Sequence, residues 1–196
     1  MLKFKIIVAG AKGVGKTSLI RRFCTGSFDF STLSTIGVDF ETKEVVLDND
    51  VILFNIWDFA GEEKFRILFP SYVSGASGAL VLYDITNRDS LDDLVNWIEI
   101  IESASDHPNT LFLIGTKLDL EEKREVSKEE AMKFHKKFNF KGDVIETSSK
   151  SGNNVEETFI KLGKEILQHS LIKCKHCGEF FPQELIYCQF CGNKKD

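Results

Sequence analysis

The chain has little of what would mark a membrane protein, a secreted protein or a nucleic-acid binder. No apolar run approaches the roughly 18–20 residues that a membrane helix needs. Behind Met1 the apolar stretch Ile6–Ala9 is shorter than a signal-peptide core of about 7–15 residues, so no secretory leader is expected. Positive charge is not in excess: 25 lysines and arginines face 30 aspartates and glutamates, a formal charge of −5. A general nucleic-acid binder that works by neutralising phosphates is therefore not expected. Leu2 stands where N-myristoylation requires glycine, and Gly192–Asp196 hold no prenylation cysteine, so no lipid anchor is expected either. Before residue 174 there is a single cysteine, Cys24. What remains, with 42% hydrophobic and 28% charged residues over 196 positions, is the composition of a folded globular chain: one ordinary domain plus a small module.

Periodicity predicts an alternation of strands and helices. Residues 2–9, 78–83 and 111–115 are strand-length apolar runs suited to burial on both faces of a mostly parallel sheet. Residues 38–47 and 51–57 flank Asp48-Asn49-Asp50 and read as a hairpin. Residues 16–25 read as a helix. A second helix carries Leu91, Leu94, Val95, Ile98 and Ile101 behind an Asp89 or Ser90 cap. Ser127-Lys128-Glu129-Glu130 opens another as a capping box, and Val155, Phe159, Leu162 and Ile166 form the stripe of the last. Such alternation implies a doubly wound α/β sheet with ligands at the carboxyl ends of its strands. The stripe stops near Gln168, which predicts a boundary at about residue 170.

Gly10-Ala11-Lys12-Gly13-Val14-Gly15-Lys16-Thr17-Ser18 follows the first strand and opens the first helix. Such a loop turns backbone N–H groups toward phosphate oxygens; Lys16 reaches the β/γ-phosphates and the Thr17 hydroxyl holds Mg²⁺. The base is addressed by Thr116-Lys117-Leu118-Asp119, directly after a buried strand. A carboxylate at Asp119 suits the N1–H and exocyclic amine of guanine, whereas adenine would leave it desolvated and unpaired.

These segments, with Ser34-Thr35-Ile36-Gly37-Val38-Asp39-Phe40, Trp57-Asp58-Phe59-Ala60-Gly61-Glu62-Glu63 and Glu146-Thr147-Ser148-Ser149-Lys150, resemble a Ras-superfamily small GTPase of the Rab-like branch over residues 1–170. The resemblance implies a mostly parallel six-stranded P-loop fold that binds GTP or GDP with Mg²⁺ and hydrolyses GTP, slowly without a partner. Lys12, Gly13, Val14, Gly15, Lys16, Thr17 and Ser18 would hold the phosphates. Thr17, Thr35 and Asp58 would hold Mg²⁺, Asp58 through water. Gly61 would sense the γ-phosphate, and Thr116, Lys117, Asp119, Ser148, Ser149 and Lys150 would hold the base. Phe28 would pack against guanine or lie in the core. Effectors and regulators would engage residues 31–41 and 58–74. A cytoplasmic monomer is expected, touching membranes only through a partner.

Three positions depart from that pattern. Glu62 replaces the usual water-orienting glutamine; its carboxylate could repel the γ-phosphate or act as a base toward the attacking water. Lys12 stands where small residues are usual and could pair with Glu62, approach the phosphate or be solvated. Phe59 replaces a threonine and could face outward at switch II or pack inward. Lys16, Thr35, Gly61 and Glu62 are the catalytic candidates, with no arginine evident near the switches except Arg66.

The tail is a separate unit. Cys174-Lys175-His176-Cys177-Gly178 and Cys188-Gln189-Phe190-Cys191-Gly192 resemble the two knuckles of a zinc ribbon. Four thiolates suit tetrahedral Zn²⁺; iron, a disulfide pair and a redox dithiol are the alternatives, and His176 is a conceivable further donor. The expected organisation is a GTPase domain over 1–170 and a zinc-ribbon-like module over 171–196. Its function is a GTP/GDP switch, or else a non-hydrolysing nucleotide-bound scaffold whose ribbon binds other proteins.

Overall fold

A computed structural model describes residues 2–29, 35–61, 69–104, 110–183 and 185–195. The elements run β1 (Leu2–Ala9), α1 (Lys16–Thr25), β2 (Val38–Leu47), β3 (Asp50–Phe59), α2 (Phe69–Val73), β4 (Gly78–Asp84), α3 (Arg88–Asp92), α4 (Leu94–Ala104), β5 (Thr110–Thr116), α5 (Lys128–Lys137), β6 (Ile145–Glu146), α6 (Val155–Ser170), β7 (Leu171–Lys173) and β8 (Phe180–Pro182). A 3₁₀ turn, Leu118–Lys123, follows β5.

The main sheet has six strands in the order β2-β3-β1-β4-β5-β6. All neighbours are parallel except the β2–β3 hairpin. Every residue of β4 and β5 is buried, because helices cover both faces. Alternate residues feed two cores. Phe4, Ile6, Val8, Phe54, Leu80, Leu82 and Phe112 pack with α1 and α6 on one face. Ile7, Ala9, Ala79, Val81, Tyr83 and Leu113 pack with α2, α4 and α5 on the other. Strand order reverses around β1, which puts the loop after it at the crevice where doubly wound sheets bind ligands.

Most helices lie where periodicity put them, and α5 opens with the complete capping box: Glu130 N–H donates to Ser127 Oγ, and Ser127 N–H donates to Glu130 Oε2. The helix expected behind Asp89 or Ser90 differs. It is two helices, α3 and α4, meeting at Asp93, and its N-cap is Asn87. Ser90 sits inside α3, where its hydroxyl accepts from Asp84 N–H and donates to the Asn87 carbonyl. The sixth strand, β6, is only two residues long, too short to leave a periodic signal. No helix among the described residues is long and apolar enough to cross a membrane.

Candidate functional site

The loop between β1 and α1 is built around charge. Gly13 and Gly15 have φ of 78° and 98°, so their amides turn into the loop ahead of α1. Lys16 is 6% exposed, and its ammonium donates to the carbonyls of Gly10 and Ala11 at 2.8 Å each. Across the loop, Gly61 fills a position that tolerates no side chain: a Cβ there would lie 2.5 Å from Ala11 C, Lys12 N and Lys16 Nζ. Lys12 and Gly13 are exposed at the loop's mouth, Val14 is buried, and Ser18 is half-buried in the first turn of α1.

Three oxygens from distant segments meet beside this loop. Thr17 Oγ1 donates to Asp58 Oδ2 at 2.5 Å and lies 2.7 Å from Thr35 Oγ1, which donates to Asp58 Oδ2 at 3.3 Å. Two hydroxyls and a carboxylate are the hard oxygen donors that Mg²⁺ prefers. Burial raises the Asp58 carboxyl above its ordinary value, opposed by the Thr17 hydroxyl and the Lys16 ammonium. Its second oxygen, Oδ1, is buried with no hydrogen-bond partner among the described residues. An orphaned buried acceptor costs roughly 1–3 kcal/mol and calls for a donor, such as water on a metal ion. The residues present fit the group.

The residues expected to hold the base end β5 or lie just after β5 and β6. Thr116 Oγ1 donates to the Val14 carbonyl at 2.6 Å and so ties the end of β5 to the phosphate loop. Asp119 is exposed, and its Oδ1 accepts from Ser148 Oγ at 2.6 Å. Ser148 is fully buried, Ser149 half-buried and Lys150 exposed. Lys117 adopts a left-handed φ of 62°, and its ammonium lies 2.5 Å from Asp84 Oδ2. Asp84 escaped the sequence reading, although Asp84-Ile85-Thr86 directly after an apolar strand was its signal; Thr86 anchors the other carboxylate oxygen. Phe28 is half-buried.

Two further outcomes concern the switch segments. Glu62 and Arg66, with residues 30–34 and the rest of 62–68, lie outside the described residues. Phe59 packs inward: it is 3% exposed and meets Phe69 and Tyr72 edge-on. The aromatic surface there comes instead from Phe40, which stacks on Trp57 at a centroid distance of 5.6 Å, and Tyr72, tilted against Trp57 at 5.3 Å. Ile36 and Phe40 are exposed beside them, at 85% and 53%.

The four tail cysteines converge, with all Sγ atoms within 4.8 Å of one another. Cys174 and Cys191 are 3.6 Å apart and Cys177 and Cys188 3.7 Å. Tetrahedral Zn–S bonds of about 2.3 Å put sulfurs about 3.8 Å apart, while an S–S bond is about 2.0 Å. The two knuckles repeat one geometry. Gly178 N–H donates to the Cys174 carbonyl and Gly192 N–H to that of Cys188, with φ of 77° and 72° that favour glycine. Asn193, through its backbone N–H and then its side chain, holds the Cys191 thiol down at about 6. His176 is exposed and outside the four-sulfur group.

The sequence pattern of the Ras family covers residues 5–168. Over 164 residues, 84% of this chain, it is 43% identical to the Ras-related protein Rab-8 of Diplobatis ommata (77% of that protein covered) and 42% identical to Rab-8B of Homo sapiens (78% covered). It is 41% identical to the GTP-binding protein ypt3 of Schizosaccharomyces pombe over 165 residues, covering 84% of this chain and 76% of that protein. The chain belongs to the Ras family of small GTPases, within its Rab-like branch.

Proposed function

We propose that this GTPase is a guanine-nucleotide switch that binds GTP and GDP with Mg²⁺, hydrolyses GTP slowly on its own, and holds Zn²⁺ in its tail. The observation that carries the nucleotide reading is the meeting of Thr17, Thr35 and Asp58 within 3.3 Å of one another beside a buried lysine. Thr17, Thr35 and Asp58 would hold Mg²⁺, which when bound would supply positive charge to neutralise the phosphates. The chain's own residues do the rest. The Lys16 ammonium, which donates to the Gly10 and Ala11 carbonyls, would turn to the β/γ-phosphates. Thr35 and Gly61 stand on the two segments that a γ-phosphate would order and its loss would release. Asp119, steadied by Ser148, selects guanine.

The test is quantitative exchange of a fluorescent GDP analogue, followed by single-turnover hydrolysis. Guanine nucleotides should bind with Mg²⁺ and leave on chelation, and ATP should compete worse than GTP by about 10⁴ or more. Equal competition by ATP sinks the reading. Effectors would engage residues 31–41 and 58–74, where Phe40 and Tyr72 flank Trp57 of β3. A pull-down comparing GDP- and GTP-analogue-loaded protein identifies them.

The zinc reading is supported by sulfur spacings near those of a ZnS₄ tetrahedron. Elemental analysis of protein purified under reducing conditions should find about one zinc per chain; iron or no metal refutes it. We place the unit boundary at residues 170 and 171. A second reading, in which the tail is the interaction module of a non-hydrolysing scaffold, draws on the exposed Ile186, Tyr187 and Phe190, at 62%, 58% and 58%. Measurable single-turnover hydrolysis excludes it.

A further inference from the structure

The tail joins the body without a spacer, since α6 ends at Ser170 and β7 begins at Leu171. Alternation along β7 and β8 then gives their small sheet two faces. Ile172 and Phe181, opposite each other in register, pack with Cys174 and Cys188. Leu171 and Phe180 point the other way and pack against the α1/α6 core of the body. On that same face Lys173 reaches Asp50 at 3.2 Å, its ammonium also lying 5.1 Å from the centre of the Phe180 ring.

Asp50 belongs to the β2–β3 turn, and α6 grips this turn a second time. Lys164 pairs with Asp48 at 3.2 Å. At Gly163 the helix lies so close that a Cβ would be 2.6 Å from Leu47 and 2.7 Å from Phe54. The turn is the far end of a hairpin paired without interruption from Leu47↔Asp50 to Val38↔Phe59. At its near end the Ala60 N–H donates to the Gly37 carbonyl, and Thr35, Asp58 and Gly61 stand at the nucleotide site. One stiff hairpin thus has the phosphate loop at one end and the thiolate-organised sheet at the other.

We infer that the Cys₄ module is a metal-dependent clamp on the β2–β3 hairpin, so that metal at the four thiolates and nucleotide at the phosphate loop hold each other in place. This rests on reading the thiolates as a zinc site. The module's buried residues are Cys174, Phe181 and Cys188 alone among those described, too small a core to stay folded without metal. Metal loss therefore releases β7 and β8, removes Leu171 and Phe180 from the core that includes Val45, Leu47 and Ile52 of the hairpin, and frees Asp50. The coupling is reciprocal: whatever factor metal adds to nucleotide affinity, nucleotide adds to metal affinity.

The experiment uses the full chain, its zinc content measured first, and follows release of a fluorescent GDP analogue in excess Mg²⁺. A zinc-selective chelator should speed release by about fivefold or more, and added Zn²⁺ should restore it. GDP-loaded protein should also surrender zinc to the chelator more slowly than nucleotide-free protein. Leu171→Ala with Phe180→Ala leaves all four thiolates in place; it should keep about one zinc per chain, release nucleotide faster and lose most of its response to chelation. If that pair also loses zinc, Leu171→Ala alone, outside the cysteine segment, carries the same comparison. A chain that holds one zinc yet releases nucleotide at one rate with and without it overturns the clamp and leaves the zinc site standing. A chain that holds no zinc overturns both.

Discussion

Residues 2–168 bury two large apolar clusters, one on each face of a six-stranded sheet, whereas residues 171–195 bury one phenylalanine between two cysteines. Both regions are built from the same β geometry, yet they are ordered by different physics. In the body, apolar burial at about 25 cal/mol per Å² is the main term set against chain entropy, and the polar site is carried on that scaffold. In the tail that term is nearly absent, and on the zinc reading proposed above the cross-linking comes from the four thiolates. A site added to a stable scaffold can vary residue by residue; a site that is itself the scaffold cannot. Glu62, Lys12 and Phe59 are departures of the first kind, while the tail repeats its cysteine–glycine geometry in both knuckles.

The largest expected effect breaks the comparison at its weaker side. Structural zinc contributes apparent binding free energies of about 10–16 kcal/mol in small domains, far beyond what this tail buries. Cys177→Ser, or chelation, should collapse the amide dispersion of residues 171–195 in an NMR spectrum. Signals from the β4–β5 interior should persist. A tail that keeps its dispersion without metal would mean that contact with the body alone suffices to fold it.

A second effect tests the body's independence from the other side. Asp119→Asn removes the anionic acceptor for guanine, so GDP affinity should fall by about 10⁴ and move toward xanthine nucleotides, whose extra carbonyl suits an amide donor. Zinc content should stay near one per chain under nucleotide-saturating conditions. Unchanged GDP affinity in a competition assay would remove Asp119 from the base site.

How far such features can be read from sequence depends on how local they are. The phosphate loop, Thr116–Asp119 and the paired C-x-x-C turns are contiguous, and each residue's chemistry fixes its neighbours, so all were legible. The α1, α5 and α6 spans were legible through periodicity and caps. The break between α3 and α4 was not: the apolar spacing runs straight through Asp93, whose carboxylate is taken up by the Trp97 indole N–H at 3.0 Å. Phe59 was ambiguous because its burial depends on Phe69 and Tyr72, more than nine residues away. The docking of the tail was invisible. Its contacts are ordinary residues: Leu171 and Phe180 take their meaning from the α1/α6 core, and Lys173 from Asp50, 123 positions earlier.

A third, smaller effect sharpens the contrast within the body. Phe159 of α6 is fully buried and stacks on Phe23 at 3.9 Å with an interplanar angle of 9°. Phe159→Ala should cost about 3–5 kcal/mol, lowering Tm by roughly 6–20 °C for a chain of this size. If the body folds by burial and the tail by metal, calorimetry shows that loss while the purified variant still carries about one zinc. Loss of zinc together with the fold would make the two regions one cooperative unit.

The smallest effect concerns the chemistry that the departures from the family pattern bring to the γ-phosphate. Lys12 is exposed at the mouth of the phosphate loop, on the side that Gly61 approaches. Glu62 follows Gly61 directly in the sequence. If the two charges pair, the carboxylate is held ionised where the attacking water must be oriented, and removing either charge changes single-turnover hydrolysis more than it changes nucleotide affinity. Glu62→Gln restores an amide that both donates and accepts, and should change the rate clearly. Lys12→Gly should change it by way of Glu62. In the four-variant cycle, the double variant should therefore depart from the product of the single effects by more than about twofold, the signature of side chains in contact. Strict multiplicativity with an unchanged Glu62→Gln rate would place both residues away from the γ-phosphate and leave hydrolysis to Lys16, Thr35 and Gly61.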